Sequence, residues 1–123
     1  MSLLCNAFPS IDTVCVNTGE VKISKKTLVT SFVNICTVLG FHHNGINFLA
    51  HVDAMEPDME SKVKKKLNKI ESKYIKKIHI WKGSNCEDIC PSFQIVKNII
   101  KELNGNIIYH KDNNNIIKID LHR

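Results

Sequence analysis

Two apolar runs separated by Asn44-Gly45 form the clearest pattern of hydrophobic and polar positions in the chain. The runs cover residues 34–41 and 46–52. Asn-Gly between two such runs predicts a β-hairpin, because a two-residue type I′ turn needs positive φ at both central positions. A turn of that length pairs His43 with Ile46, and each further pair follows by counting outward along the two strands.

Helical spacing of apolar residues occurs twice after the hairpin. A first helix is predicted from its N-cap, Asp58, with apolar positions recurring as far as Tyr74. A second is predicted from Pro91, with an apolar face that ends at Leu103. Short apolar or alternating runs predict strands at 13–17, 21–23, 77–81, 106–110 and 116–121, the last two as a hairpin, and residues 27–30 lead toward the first hairpin.

The order of these elements is strands, helix, strand, helix, strands, which predicts an α+β fold. We expect a layered sandwich of mixed β-sheet with two helices packed on one side. The length of 123 residues fits one domain, residues 1–123. A hydrophobic content of 43% is normal for a globular protein and is enough for a buried core.

Sequence and composition also indicate the cellular location of the protein. No apolar stretch approaches the roughly 20 residues of a membrane span, and the start of the chain lacks the pattern of a signal peptide. Five cysteines, an odd number without tight repeating spacing, argue against a disulfide scaffold and suit a reducing compartment. We therefore expect a soluble, cytoplasmic protein without membrane insertion.

The predicted hairpin brings a thiol and an imidazole together. His51 faces Val38, and Cys36 lies two residues further along the same strand, so the two side chains share a face. As diagonal neighbours, they have Cα atoms roughly 7–8 Å apart. A thiol beside an imidazole can act as a nucleophile and its base. The alternative is ordinary packing, since a cysteine inside a strand is usually a small buried hydrophobe.

Residues 30–51 resemble the chemoreceptor glutamine deamidases of the CheD family. Thr30 stands six residues before Cys36, and the run from Gly45 to Ala50-His51 is similar to the family's approach to its histidine. The resemblance implies a CheD-like deamidase domain in which Cys36 is the nucleophile, His51 the general base and acid, and Thr30 the residue that orients the histidine. Asn34-Ile35 departs from the family's usual Gly-Ser.

The same resemblance extends to a wider Cys-His group of deamidases and amidohydrolases. Leu49 to Asp53 is similar to the Leu-Thr-His-Cys-Asp pattern of the protein N-terminal asparagine amidohydrolases. Three hypotheses therefore stay open: a protein glutamine or asparagine deamidase, an N-terminal asparagine amidohydrolase, and a catalytically inactive protein-binding module of the same fold. The substrate of either enzyme would be a protein.

The chemistry of these residues is amide hydrolysis through a thioester. We expect an imidazolium to lower the pKa of the Cys36 thiol below its usual ~8.5. The Cys36 N–H and Asn34 are candidate donors to the oxyanion. Asp53 rivals Thr30 as the residue that orients His51, because the same register places it opposite Cys36. The reaction needs no metal and no organic cofactor.

Three other patterns suggest chemistry less strongly. Lys62 to Lys77 holds eight lysines, which could bind nucleic acid or an acidic partner but are more often a solvated helix face. Because no aromatic residues interleave with the lysines at 62, 64, 65 and 66, we do not expect nucleic acid as a partner. His42-His43 fits a surface turn better than a metal site. For Cys86 and Cys90, packing at a helix start is favoured over redox pairing.

Overall fold

The computed structural model describes residues 12–30, 33–70, 75–87, 89–111 and 117–119, with backbone only at 111 and 117–119. Two helices lie in this part of the chain, α1 (Met59–Leu67) and α2 (Pro91–Ile100). The strands are β1 (Thr13–Cys15), β2 (Val21–Ser24), β3 (Thr27–Thr30), β4 (Thr37–His43), β5 (Ile46–Val52), β6 (Lys77–Lys82), β7 (Asn106–Lys111) and β8 (Ile117–Ile119).

The hairpin of β4 and β5 has the predicted turn and register. Asn44 and Gly45 have φ values of 49° and 80°, the positive values that a type I′ turn requires. His43 lies opposite Ile46, and Val38 lies opposite His51. The prediction from the Asn-Gly pair is therefore confirmed.

The strands form two sheets. The larger has the order β2-β5-β4-β6-β7, and the smaller has the order β1-β3-β8. Most neighbours are antiparallel, but β1 and β3 are parallel. β6 and β7 are also parallel and are connected through α2, as a crossover between parallel strands requires. The sheet is thus mixed, as predicted.

Each face of the larger sheet covers a different apolar cluster. One face packs against both helices, and its cluster includes Leu39, Phe48 and Ile80 from the sheet, Val63 from α1 and Val96 from α2. The opposite face packs toward the smaller sheet. Its cluster consists of Val16, Leu28, Val33, Cys36, Val38 and Leu49. The α+β fold with both helices on one side of the mixed sheet is therefore confirmed, and the smaller sheet closes the other side.

The structure corrects two local predictions. β8 does not form a hairpin with β7 but pairs antiparallel with β3, because a turn signal specifies a chain reversal and not the strand that the returning chain joins. Asp58 is the N-cap of α1, but its φ is 57° and its side chain makes no capping hydrogen bond. The predicted end of this helix at Tyr74 falls outside the described residues, and α1 ends at Leu67.

Candidate active site

His51 is fixed in the larger sheet by its backbone as well as by its strand. Its N–H donates to the Glu20 carbonyl, and its carbonyl accepts from the Gly19 N–H, both at 2.9 Å. The turn between β1 and β2 thus holds the end of β5. The imidazole itself is fully buried, on the face that carries Val38 and the smaller sheet.

Thr30 determines which nitrogen of His51 carries the proton. The Thr30 Oγ1 atom lies 2.7 Å from the Val16 carbonyl oxygen and 2.7 Å from His51 Nδ1. A carbonyl oxygen can only accept, so the single hydroxyl hydrogen goes to Val16. The hydroxyl oxygen must then accept from Nδ1–H. In the neutral imidazole, Nε2 is therefore left without a hydrogen and carries a free lone pair.

The Nε2 atom of His51 is buried and has no hydrogen-bond partner among the described residues. Buried polar side-chain atoms in folded proteins nearly always have a partner, so each exception requires an explanation. An unprotonated ring nitrogen held in a fixed orientation is what a general base requires before it receives a proton.

Cys36 lies on the same face of the sheet as His51. It immediately precedes β4 and stands two residues from Val38, the ladder partner of His51. Cys36 and Val38 also belong to the same apolar cluster, which confirms that their side chains project to one side. The Cys36 side chain is buried, at 6% exposure. Among the cysteines that the structure describes, Cys36 is the free thiol.

The segment that carries Cys36 is held at every peptide group. All four carbonyls from residue 33 to residue 36 accept a hydrogen bond from the chain that follows β6. In order along the segment, the donors are Ser84 N (3.2 Å), Asn85 N (2.9 Å), Ser92 Oγ (2.9 Å) and Gly83 N (2.9 Å). This network fixes the position of the thiol before any substrate arrives, which favours catalysis by preorganisation.

Gly83 permits this close approach of the two segments. A Cβ atom on Gly83 would lie 2.2 Å from the Asn34 carbonyl oxygen and 2.9 Å from that of Cys36. Both distances are far below van der Waals contact. Any side chain at position 83 would therefore push the loop away from the cysteine segment.

The environment of the site favours neutral forms of both groups. Burial lowers the pKa of His51 to about 4, and the nearby Asp53 carboxylate opposes that shift only in part. Burial, reinforced by Asp53, raises the pKa of the Cys36 thiol to about 11. The expectation of a thiol pKa below its usual value is wrong, because no imidazolium is present in the resting state to stabilise a thiolate.

Asp53 and Asn34 have roles other than direct contact with the imidazole. Asp53 Oδ1 accepts a hydrogen bond from the Met55 N–H at 2.9 Å, and its carboxylate acts on His51 through its charge. Thr30 is therefore the side chain that bonds Nδ1. Asn34 is exposed, and its Oδ1 accepts from the side chains of Ser84 and Asn85, which fixes its amide beside the cysteine segment.

The other three cysteines that the structure describes are oxidised. Cys86 and Cys90 form a disulfide just before α2, with Cα atoms 5.2 Å apart, and Cys15 is also disulfide-bonded. Both cysteines are also buried in the apolar cluster under the helices, as the packing interpretation expects, and the turn before α2 brings their backbones close enough for the bond that this interpretation did not favour. No group of three or more His, Cys, Asp or Glu side chains in the described residues is placed to hold a metal ion.

Two parts of the site have no side-chain signal in the sequence. The Val16 carbonyl, which fixes the Thr30 hydroxyl, is a backbone atom that any residue would supply. The composition of the loop at 83–85, Gly-Ser-Asn, indicates only a turn, yet this loop holds the cysteine segment. The absence of a Cβ at Gly83 between two ordered segments was the one available sign of a close backbone approach.

Comparison with known proteins gives no match to a protein-family model and no match to a curated protein. Neither helix in the described part of the chain is long and apolar enough to cross a membrane.

Proposed function

We propose that the protein is a cysteine-dependent amidohydrolase that converts glutamine, or asparagine, side chains of a protein substrate to the acid and releases ammonia. One observation carries the proposal. The hydrogen bond from Thr30 to Val16 leaves the buried Nε2 of His51 unprotonated, and no described residue pairs with that atom. The same sheet face holds the free thiol of Cys36. A nucleophile, a base and the group that orients the base are the three parts of such a site.

Because Cys36 and His51 are both neutral before the reaction, the first step uses His51 as a general base. The Cys36 sulfur attacks the amide carbonyl carbon while its proton passes to His51 Nε2. The thiolate thus forms only as the new carbon–sulfur bond forms, in contrast to a site with a standing thiolate–imidazolium pair. The Asp53 carboxylate, whose charge raises the pKa of His51, stabilises the imidazolium that results.

Collapse of the tetrahedral intermediate completes the acylation. The imidazolium gives its proton to the departing nitrogen, ammonia leaves, and a thioester to Cys36 remains. Water then attacks the thioester, with His51 taking a proton from the water and returning it to the sulfur. The product is the carboxylic acid, and the free thiol is restored. Throughout these steps the Thr30 hydroxyl continues to accept from Nδ1–H, so the ring does not rotate.

The oxyanion of the intermediate needs fixed donors. The backbone N–H of Cys36 lies in a segment whose neighbouring carbonyls are all engaged, so its direction is fixed. The Asn34 amide, oriented by its contacts with the 84–85 loop, is the second candidate donor. Loss of one oxyanion donor typically raises the barrier by about 2.7–4 kcal/mol.

Substrate class follows from burial and from the resemblance to the CheD family. The thiol is nearly inaccessible at the surface, so the reacting amide must stand at the end of a thin, extended side chain. Glutamine carries its amide one methylene further from the backbone than asparagine does and reaches a recessed sulfur more easily. The exposed Ile35 beside Cys36, at 58% exposure, offers an apolar contact at the entrance.

The test is mass spectrometry of glutamine-bearing proteins incubated with the wild-type protein, Cys36→Ala and His51→Ala. We expect conversion of amide to acid, with release of ammonia, only with the wild type. Hydroxylamine added during turnover should trap the acyl group and yield a hydroxamate. A panel that includes peptides with N-terminal asparagine separates the two enzyme hypotheses. No conversion across proteins and peptides, with all three chains folded, would support the inactive binding module.

A further inference from the structure

A basic groove lies between helix α1 and strand β2, on the side of the turn that holds His51. Its volume is about 360 Å³. We call it the basic groove and define it by its lining residues: Gly19, Glu20, Val21, Lys22, Lys62, Lys65, Lys66 and Lys69. Five lysines against one glutamate give the lining a strong positive charge, so the groove should attract anions.

Four of the five lysines of the basic groove come from one face of α1 and the turn after it, whereas Lys22 lies on β2 and its Nζ donates to the Cys15 carbonyl at 2.9 Å. Their positions in the sequence, 62, 65, 66 and 69, follow helical spacing. Lys64, on the same helix, pairs instead with Glu60 of α1 at 2.9 Å and with Glu102, just after α2, at 2.8 Å. Lys64, whose charge is neutralised by two glutamates, thus lies on a different face of α1 from the lysines that face β2.

Most of the charge in the basic groove is uncompensated. Lys62 pairs with Glu56 at 2.6 Å, and Lys22 lies 3.6 Å from Glu20. Lys65, Lys66 and Lys69 form no salt bridge with the residues that the structure describes. Three like charges concentrated on one wall repel each other, and an anionic ligand would relieve that repulsion.

The other wall of the basic groove is the edge of a sheet. Among the described strands, β2 has a hydrogen-bonded partner on one side only, β5. An open edge presents backbone donors and acceptors that can pair with an added extended polypeptide. A nucleic acid cannot make that ladder. The lining also contains no aromatic side chain on which a base could stack.

We propose that the basic groove binds an extended, acidic segment of the protein substrate, which pairs with β2 and places its carboxylates against the lysines of α1. The identification of this segment as part of a substrate rests on the proposed function. The groove and the candidate active site share one structural part, because the turn that lines the groove at Gly19 and Glu20 also bonds both backbone groups of His51. Because α1 and the imidazole lie on opposite faces of the larger sheet, the shared turn links the groove to His51 through the backbone alone.

The experiment measures peptide binding by fluorescence anisotropy with the folded Cys36→Ala chain, so that no turnover is needed. The probes are fluorescein-labelled peptides of equal charge and length, repeats of Glu-Thr and repeats of Glu-Pro, together with a uridine oligonucleotide. Proline removes the N–H that a paired strand must donate. We expect the Glu-Thr peptide to bind most tightly, with affinity that falls as salt rises.

Charge-reversal variants test whether the acidic peptide binds in the basic groove. The triple variant Lys65→Glu, Lys66→Glu, Lys69→Glu should weaken binding of the Glu-Thr peptide by at least about tenfold, a change of roughly 1.4 kcal/mol. The matched control reverses three exposed lysines elsewhere, Lys76, Lys77 and Lys101, and should bind almost as the parent does. If charge reversal at the end of α1 impairs folding, the corresponding glutamine triple serves in its place.

Three outcomes would overturn the proposal: equal binding of the two peptides, tighter binding of the oligonucleotide, or equal loss in the groove and control variants. Failure of deamidation is a separate result, because these measurements use a chain that lacks the nucleophile. If the peptide binds as expected but the wild-type chain converts no amide, the groove remains an acidic-peptide site and the assignment of its ligand as substrate falls.

Discussion

The Thr30 hydroxyl and the His51 imidazole are joined by a 2.7 Å hydrogen bond in which the imidazole must be the donor. The direction is set by the Val16 carbonyl, which occupies the single hydrogen of the hydroxyl. Backbone geometry therefore decides the tautomer of a side chain on another sheet, and the tautomer decides that Nε2 is the basic nitrogen.

Replacing Thr30 with valine should impair both activity and stability. Valine keeps the shape but removes the acceptor, so the buried Nδ1–H loses its partner at a cost of about 1–3 kcal/mol in unfolding free energy. The ring can then take the wrong tautomer, and kcat should fall by at least about tenfold. Thr30→Ser keeps the hydroxyl and should retain most activity. Nitrogen NMR of His51 reports the tautomer directly, and an unchanged spectrum in Thr30→Val would contradict the assignment.

The Cys36 thiol should react slowly with iodoacetamide at neutral pH. Its pKa is raised to about 11, so the thiolate, which is the reacting form, is scarce at pH 7. The rate should rise about tenfold for each pH unit between pH 7 and pH 10. The same chain unfolded in guanidinium, without reductant, is the control and should react faster. Rapid labelling that does not change between pH 6 and pH 9 would instead indicate a thiolate–imidazolium pair.

His51 should make the protein less stable as the pH falls below neutrality. Its pKa is about 4 in the folded state against a usual 6.5, so between these values the unfolded chain binds the proton and the folded chain does not. The stabilisation is fully present above pH 6.5 and is lost as the pH falls to about 4, by up to roughly 3 kcal/mol. Urea unfolding of wild type and His51→Gln across this window measures the effect.

The wild type and His51→Gln are compared by how steeply their unfolding free energies change with pH. His51→Gln has no titrating ring at this position, and the lowered pKa values of His79 and His110 act equally in both chains. The difference between the two unfolding free energies should therefore shrink or reverse toward low pH. Parallel curves would mean that the imidazole is solvated or already charged in the folded protein.

Alanine substitutions at Gly83 and at Gly45 form a matched pair of variants. Alanine at 83 would place its Cβ against the Asn34 carbonyl oxygen, and such overpacking typically costs about 1–3 kcal/mol. The displaced loop should release the cysteine segment and lower kcat. Alanine at 45 meets open space but has φ of +80°, so strain alone should cost about 1–2 kcal/mol and leave kcat unchanged. Equal kcat values in the two variants would show that the loop does not position Cys36.

The sequence predicted the hairpin closely for a local reason. Asn44-Gly45 favours one turn type, that turn sets the register, and the period of two in a strand sets which residues share a face. The common face of Cys36 and His51 follows from those three facts alone. The layered α+β fold also followed from the order of elements, because each helix needs a sheet face to cover its apolar side.

The predictions that failed depended on partners far away in the chain. The last strand was expected beside β7 and instead joins β3, since its apolar pattern fits either sheet and long-range packing makes the choice. The pKa of the Cys36 thiol was expected to lie below its usual value and instead lies above it. Spacing in the sequence shows which sheet face a side chain is on, but not how deeply that face is buried. The disulfide between Cys86 and Cys90 is a local exception, because a separation of four residues is compatible with packing or with bonding and the turn before α2 decides between them.

The sequence by itself determined the register of β4 and β5, and with it the shared face of a thiol and an imidazole, because turn chemistry and strand alternation act between near neighbours. The tertiary structure alone decided that Thr30 lies against His51, that the Val16 carbonyl fixes the direction of their hydrogen bond, and that the 83–85 loop holds Cys36 in place. Those contacts join separate sheets and loops, and only the packing of the whole chain brings them within bonding distance.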